Sequence, residues 1–220
     1  TIVNAACRHD LVVRVNRVPG DFVAERQILA RVWPASALAD SDIESTVQGA
    51  YAIGSQRTKP QDVMFLVNEL VEIAARALSP GTNDPYTAMS CLDWLTASLN
   101  RLARRRMPSP IHRDGDDVLR LWVPVFDFET LANAIFDQLR CYFATDVNAA
   151  IHMLDRLGEC GEFVGRAGDR DLLHAHAEAL ETAAQPNIHN PRDAARLDEA
   201  ARRADRLLTH PDERRGALPA

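Results

Sequence analysis

The sequence predicts an α+β fold that is mainly helical, with a small N-terminal β-rich part and a bundle of about six or seven helices. Three observations carry this. Apolar residues alternate with polar ones near the N-terminus, they recur at helical spacing from Gln61 onward, and Gly, Pro, Ser and Asp punctuate the helical segments at the ends. A chain of 220 residues with 46% hydrophobic and 25% charged residues is long enough to bury a core of its own.

Leu11 to Pro34 reads as strands. Val13 and Val15 alternate with Arg14 and Asn16, which gives one buried face. Pro19-Gly20 suits the centre of a type II turn, because Pro fixes the first φ and Gly accepts a positive second one. Phe22, Val23, Ile28, Leu29, Val32 and Trp33 are core candidates of the hairpin. Its shape resembles half of a lipoyl or biotinyl hammerhead, but the only lysine of the chain, Lys59, lies outside it, which argues against a carrier role and for the β-rich scaffold alone.

After Pro34 the period changes. Ser41 to Gly54 opens on a potential capping box, Ser41 with Glu44, and ends on Gly54. Gln61–Ser79 and Asp84–Met107 read as helices, and the second ends in the basic run Arg101–Met107. That run is either a solvated helix end favoured by the dipole or a contact for lipid headgroups. Alternation returns once, at Leu119, Leu121, Val123 and Val125, giving a strand near 118–126 that is expected to pair with the hairpin. The helices 128–144, 146–165, 171–184 and 191–208 follow. The last is strongly charged with a thin apolar stripe, expected at the surface or docked at an edge. The expected division is a β-rich segment 1–36, a helical domain 37–210 and a frayed tail 211–220.

Charge and composition exclude several classes. A net charge of -6 argues against a nucleic-acid binder, which needs a basic face. Cys7, Cys91, Cys141 and Cys160 are far apart and read as free, buried thiols. His174 and His176 are two apart, so on a helix they diverge, where a zinc pair needs a spacing of four. No metal, cofactor or nucleic-acid partner is expected. No apolar run reaches the length that spans a bilayer.

Function, if legible anywhere, lies between residues 57 and 88. On the helix from Gln61, Asp62, Phe65, Glu69, Glu72, Arg76 and Ser79 share one face, and Val63, Val67, Leu70, Ala74, Ala77 and Leu78 the other. The polar stripe has two readings. It is a solvated face with Glu72 and Arg76 as an i,i+4 pair, or one wall of a cleft formed by Arg57, Gln61, Asp62, Glu69, Glu72, Arg76, Asn83 and Asp84 that holds a polar ligand or fixes the fold. The corner Ser79, Pro80, Gly81, Pro85 and Thr87 is helix-stop and helix-start chemistry: Pro80 breaks the ladder, Gly81 supplies a left-handed stop, Asp84 caps and Pro85 begins the next helix. Arg57, Asp62, Arg76 and Asn83 are expected to form one connected polar site.

The pair RTKPQDVMF (Arg57–Phe65) and RALSPGTNDPYTA (Arg76–Ala88), followed by CLDWLTASL and preceded by a GDFV hairpin, resembles a bacterial family of predicted membrane proteins, domain of unknown function 2254. The motif positions are Arg57, Thr58, Gln61, Asp62, Phe65, Arg76, Ser79, Asn83, Asp84 and Thr87. The chain departs from the pattern at Arg26, where the resemblance leads one to expect Gly. The resemblance names no reaction. It implies transmembrane segments N-terminal to this region, in keeping with a chain that opens on Thr1 rather than Met, and so a soluble part of a bacterial inner-membrane protein. The expected role is a membrane-tethered interaction, regulatory or assembly domain of a transport- or channel-like protein. Its expected partners are a second copy or its own transmembrane part. The alternative is a small-ligand or ion binder, or an enzyme, using the polar cluster.

Overall fold

The structure, a computed structural model, describes residues 2–36, 41–54 and 62–209. Among these are eight α-helices and four strands, an α+β fold dominated by helix. The chain forms two compact units, residues 1–65 with 107–126, and residues 66–106 with 127–220.

In the first unit, α1 (Ile2–Arg8) leads into β1 (Val12–Val15), which pairs antiparallel with β2 (Ala30–Trp33). The long-range partner is β4 (Leu119–Trp122), parallel to β1 through Val13 opposite Leu121; β3 (Ile111–Arg113) closes the order β2-β1-β4-β3. The strand expected near 118–126 therefore does join the hairpin. Val13, Val15 and Leu121 point to one side, where they bury with Ala6 and Leu11, and Tyr51 packs on the edge of that cluster after α2 (Ser41–Gly49). The Tyr51 hydroxyl donates to the Leu29 carbonyl at 2.9 Å. The turn at Pro19-Gly20 is built as expected. Gly20 has φ 96°, and Asp21 closes it by donating its N–H to the Val18 carbonyl while accepting from Val18 N–H at 2.9 Å.

The hairpin core differs from expectation. Phe22, Ile28 and Trp33 are exposed, and Val23, Leu29 and Val32 are half-buried. Only β-strand positions facing α1 find cover; Trp33 sits opposite Val12 on the other face of the pleat, and Phe22 lies in the connection. Arg26 has φ 66°, a left-handed backbone that glycine adopts without strain, which accounts for the glycine expected there.

The second unit is a bundle of α4 (Pro85–Ala103), α5 (Phe128–Phe143), α6 (Val147–Gly161), α7 (Ala167–Ala184) and α8 (Pro191–Thr209). It also holds most of α3 (Val63–Ala77), whose first turn groups with the first unit. Helix α6 packs against all four others of the bundle. Its buried residues include Met153, Leu154 and Leu157, with Phe136 and Phe143 of α5 and Leu92, Leu95 and Leu99 of α4 in the same core. Helices α4, α5 and α6 start alike: Asp84, Asp127 and Asp146 each accept an N–H three residues on, from Thr87, Thr130 and Ala149. At the other end of α4 the basic run is partly explained within the protein, because the Arg104 guanidinium lies 4.5 Å over the Phe163 ring. Cys91 and Cys160 are buried as expected, whereas Cys7 and Cys141 are exposed. Burial pushes the Cys160 thiol up to about 12, so it behaves as a small apolar group.

Candidate functional site

Arg57 and Gln61 of the expected cluster lie outside the described residues, as do Thr58, the side chain of Ser41 and the tail 211–220. Asp62 is buried, and its carboxylate accepts the Phe65 N–H at 3.0 Å, which caps α3. Glu69, Glu72 and Arg76 are exposed, and Arg76 donates to Glu72 one turn back. A pair this exposed is worth well under 1 kcal/mol at about the strength of a helix-surface ion pair. The solvated reading therefore describes Glu72 and Arg76.

Helix length separates the members further. Asp62 sits before the first turn of α3 and Arg76 in its last, 14 residues apart (76 - 62), or about 21 Å along the axis. No side chain bridges that distance, so Asp62 and Arg76 do not share one contact. The apolar face also departs from expectation. Val67, Val71, Ala74, Ala77 and Leu78 are buried, but Val63 is exposed and Leu70 half-buried.

The corner is held by a dense local network. Asn83 and Thr82 both donate backbone N–H groups to the Ser79 carbonyl, and Asp84 N–H reaches the Ala77 carbonyl at 2.7 Å. The Ser79 hydroxyl donates to the Arg76 carbonyl at 2.7 Å. The left-handed residue is Asn83, with φ 47°, and not Gly81. Asn tolerates this region better than other residues with a Cβ, so the turn is made two residues later than the glycine suggests. Asp84 then accepts from both Thr87 groups, the hydroxyl at 2.5 Å and the N–H at 3.1 Å. The Thr87 hydroxyl, and after it the Thr87 N–H, holds the Asp84 carboxyl below the usual carboxylate range. The Ser79 and Thr87 hydroxyls and the Asp84 carboxylate are thus all engaged within the corner itself.

Two polar clusters went unseen in the sequence because their members are far apart in the chain. In the first unit, Arg120 donates to Asp114 at 2.6 Å and to Asp10 at 2.7 Å, 110 positions away. The Arg120 hydrogen bond is the largest cause of a lowered Asp114 carboxyl, and the two carboxylates raise the guanidinium in turn. In the second unit, a cleft of about 460 Å³ between α7 and α8 contains His174, which contacts Asp205 at 2.9 Å, together with Glu178, Glu181, Asp198 and Arg202. Among the described residues no group of three His, Cys, Asp or Glu side chains is placed to hold a metal ion.

These features define a helix-rich module with an elaborately stopped and started corner. The family described as "Predicted membrane protein (DUF2254)" matches residues 1–159, and the chain belongs to that family. An uncharacterised protein of Mycobacterium bovis and uncharacterised proteins of two strains of Mycobacterium tuberculosis are each 30% identical over 195 residues, 87% of this chain. The chain spans 37% of the length of these relatives. No solved structure gives a significant match. Among the described residues no helix is long and apolar enough to cross a membrane.

Proposed function

We propose that this chain is an interaction and assembly module of a bacterial inner-membrane protein, acting through self-association or contact with the membrane-embedded part of its own protein. The observation that carries this reading is the exposed apolar flank of α3. At 100° per residue, Val63, Leu66, Leu70 and Ile73 fall within one quadrant beside the buried face, and three of them, Val63, Leu66 and Ile73, are exposed. Helix α4 adds exposed Tyr86 and Trp94. Apolar side chains grouped on one helix flank, with Glu69, Glu72 and Arg76 beyond them, have the anatomy of an interface with a charged rim.

Within the α3 part of its cluster the ligand-binding alternative draws on the buried carboxylate of Asp62, since Glu69 and Glu72 face water. The assembly reading is tested by sedimentation over a hundredfold range of concentration. The mass is expected to rise with concentration, and Leu66→Ser/Ile73→Ser to remain at the monomer mass. A wild-type chain that stays monomeric throughout removes self-association and leaves the membrane-embedded part as the partner.

A further inference from the structure

We infer that the outer face of the four-stranded sheet is a docking surface for anionic lipid headgroups. The pleat fixes what this face presents. Val13, Val15 and Leu121 point into the core with α1, so Val12, Arg14 and Trp122 point away from it. Their cross-strand partners are Trp33 opposite Val12, Arg31 opposite Arg14, and Ile111 opposite Trp122. The face is thus a row of tryptophan, isoleucine and arginine, bounded by Arg120, two residues before Trp122, with the Asp10 and Asp114 carboxylates that it holds. Trp33 is 46% and Ile111 41% exposed, and Arg14 and Arg31 are exposed beside them.

The two arginines carry the argument. Like charges directly opposite each other on neighbouring strands are destabilising. Arg14 lies 4.8 Å over the Trp122 ring, and neither it nor Arg31 has an ion-pair partner among the described residues. The carboxylates that the structure sets against the sheet, Asp10 and Asp114, are both committed to Arg120. An anion lying across Arg14 and Arg31 would turn a repulsive pair into a bidentate seat.

The surroundings select the kind of anion. Tryptophan with an aliphatic neighbour and arginine is the composition that settles at a membrane–water interface, and a sheet face can lie flat on such a plane. A nucleic-acid strand would need a run of free rings for its bases to stack on, but Arg14 already covers Trp122 and leaves Trp33 as a single open ring of the row. The chain's net charge of -6 also opposes a long polyanion, while a bilayer surface meets only the local face. The inference shares the membrane setting of the proposed function and is independent of self-association, so each can fail alone.

The test is co-sedimentation of this chain with vesicles of phosphatidylcholine, with and without phosphatidylglycerol. Binding is expected only to the anionic vesicles and is expected to be released by high salt. Arg14→Gln and Arg31→Gln should each weaken it about fivefold, corresponding to the ~1 kcal/mol that one basic residue contributes near an anionic surface. The double variant should lose about 25-fold or more on the same basis. Arg31→Gln should melt no lower than wild type, because it removes a like-charge contact, whereas a purely structural arginine would lower the melting temperature. Leu66→Ser/Ile73→Ser should bind vesicles as wild type does. The inference is overturned by equal binding to neutral vesicles, by a double variant that binds undiminished, or by capture of a single-stranded oligonucleotide through these arginines with the vesicles left unbound.

Discussion

Helix α8 is strongly charged and yet buries its entire apolar stripe, whereas α3 is rich in valine, leucine and isoleucine and leaves several of them in water. The stripe of α8 is Leu197, Ala200, Ala204 and Leu208, all nearly inaccessible. What seats it is shape. Gly158 and Gly161 of α6 let the α8 backbone approach so closely that a Cβ at position 158 would lie 2.9 Å from Ala204 Cα. Charged groups then clamp the rim, with Arg203 donating twice to Asp155 and Arg196 to Asn148. Helix α3 has more apolar surface than its buried face accommodates. Close packing of small residues decides burial here, and the amount of hydrophobic side chain does not.

The same substitution on the two helices sharpens this contrast most. Leu197→Ala should cost about 2–5 kcal/mol, the range for a leucine removed from a packed site that cannot collapse. Leu66→Ala, at a position 45% exposed, should cost less than about 1 kcal/mol, as expected of a surface change. Urea denaturation of both variants compares them directly through the midpoint at constant slope. Comparable losses would show that α3 is as tightly seated as α8.

A smaller effect probes the seat itself. At Gly158 the new methyl meets the Ala204 backbone, which cannot step aside without moving α8. Overpacking of about 1–3 kcal/mol then exceeds the 0.5–1 kcal/mol that alanine returns in helix propensity, so Gly158→Ala should be destabilising. At Gly161 the closest atom, at 2.8 Å, is Leu208 Cδ2, the far end of a side chain that can rotate. Gly161→Ala should therefore be the milder of the two. Equal midpoints for both variants would mean that the helices are free to separate.

This seat is also where the sequence was least informative. The stripe of α8 could be read from its spacing, but Gly158 and Gly161 inside α6 carry no sign of which helix they admit. The same limit applies elsewhere. Periodicity located the strand around Leu121 and the helices α3 and α4, and local chemistry located the Asp84 cap, because each of these is decided within a few residues. It did not reveal α1, the strand Ile111–Arg113, or the salt bridge from Arg120 to Asp10, which depend on pairings across the chain. At the candidate site, the helix–corner–helix frame was legible. The distance between Asp62 and Arg76 was not legible, since a shared stripe on a helix says nothing of the rise between its ends, and Arg57, the further member of the expected site, lies outside the described residues. Exposure of Phe22, Ile28 and Trp33 was hidden for a related reason: alternation gives the two faces of a strand but not which of them another element covers.

The smallest effect concerns how the bundle closes on a polar group rather than a leucine. His176 of α7 is buried against α5, where its Nε2 meets Asn133 Oδ1 at 3.0 Å and its ring lies 5.3 Å from that of Phe136. Burial lowers its pKa from the ordinary histidine value, the Arg140 charge adds to this, and Asp137, 3.8 Å from Nδ1, opposes it. The sign follows from linkage. The folded state binds the proton less readily than the unfolded chain, so the contribution of His176 is complete above about pH 6.5. It is lost progressively as pH falls from there through the lowered folded value. The slope from this one group cannot exceed about 1.4 kcal/mol per pH unit. His176→Gln can keep an amide donor toward Asn133 but cannot take up a proton, so its unfolding midpoint should vary less between about pH 6.5 and 5 than that of wild type. Unchanged pH dependence in this variant would mean that the ring accepts its proton without leaving α5, and that the polar seam between α5 and α7 is looser than the leucine-lined core around α6.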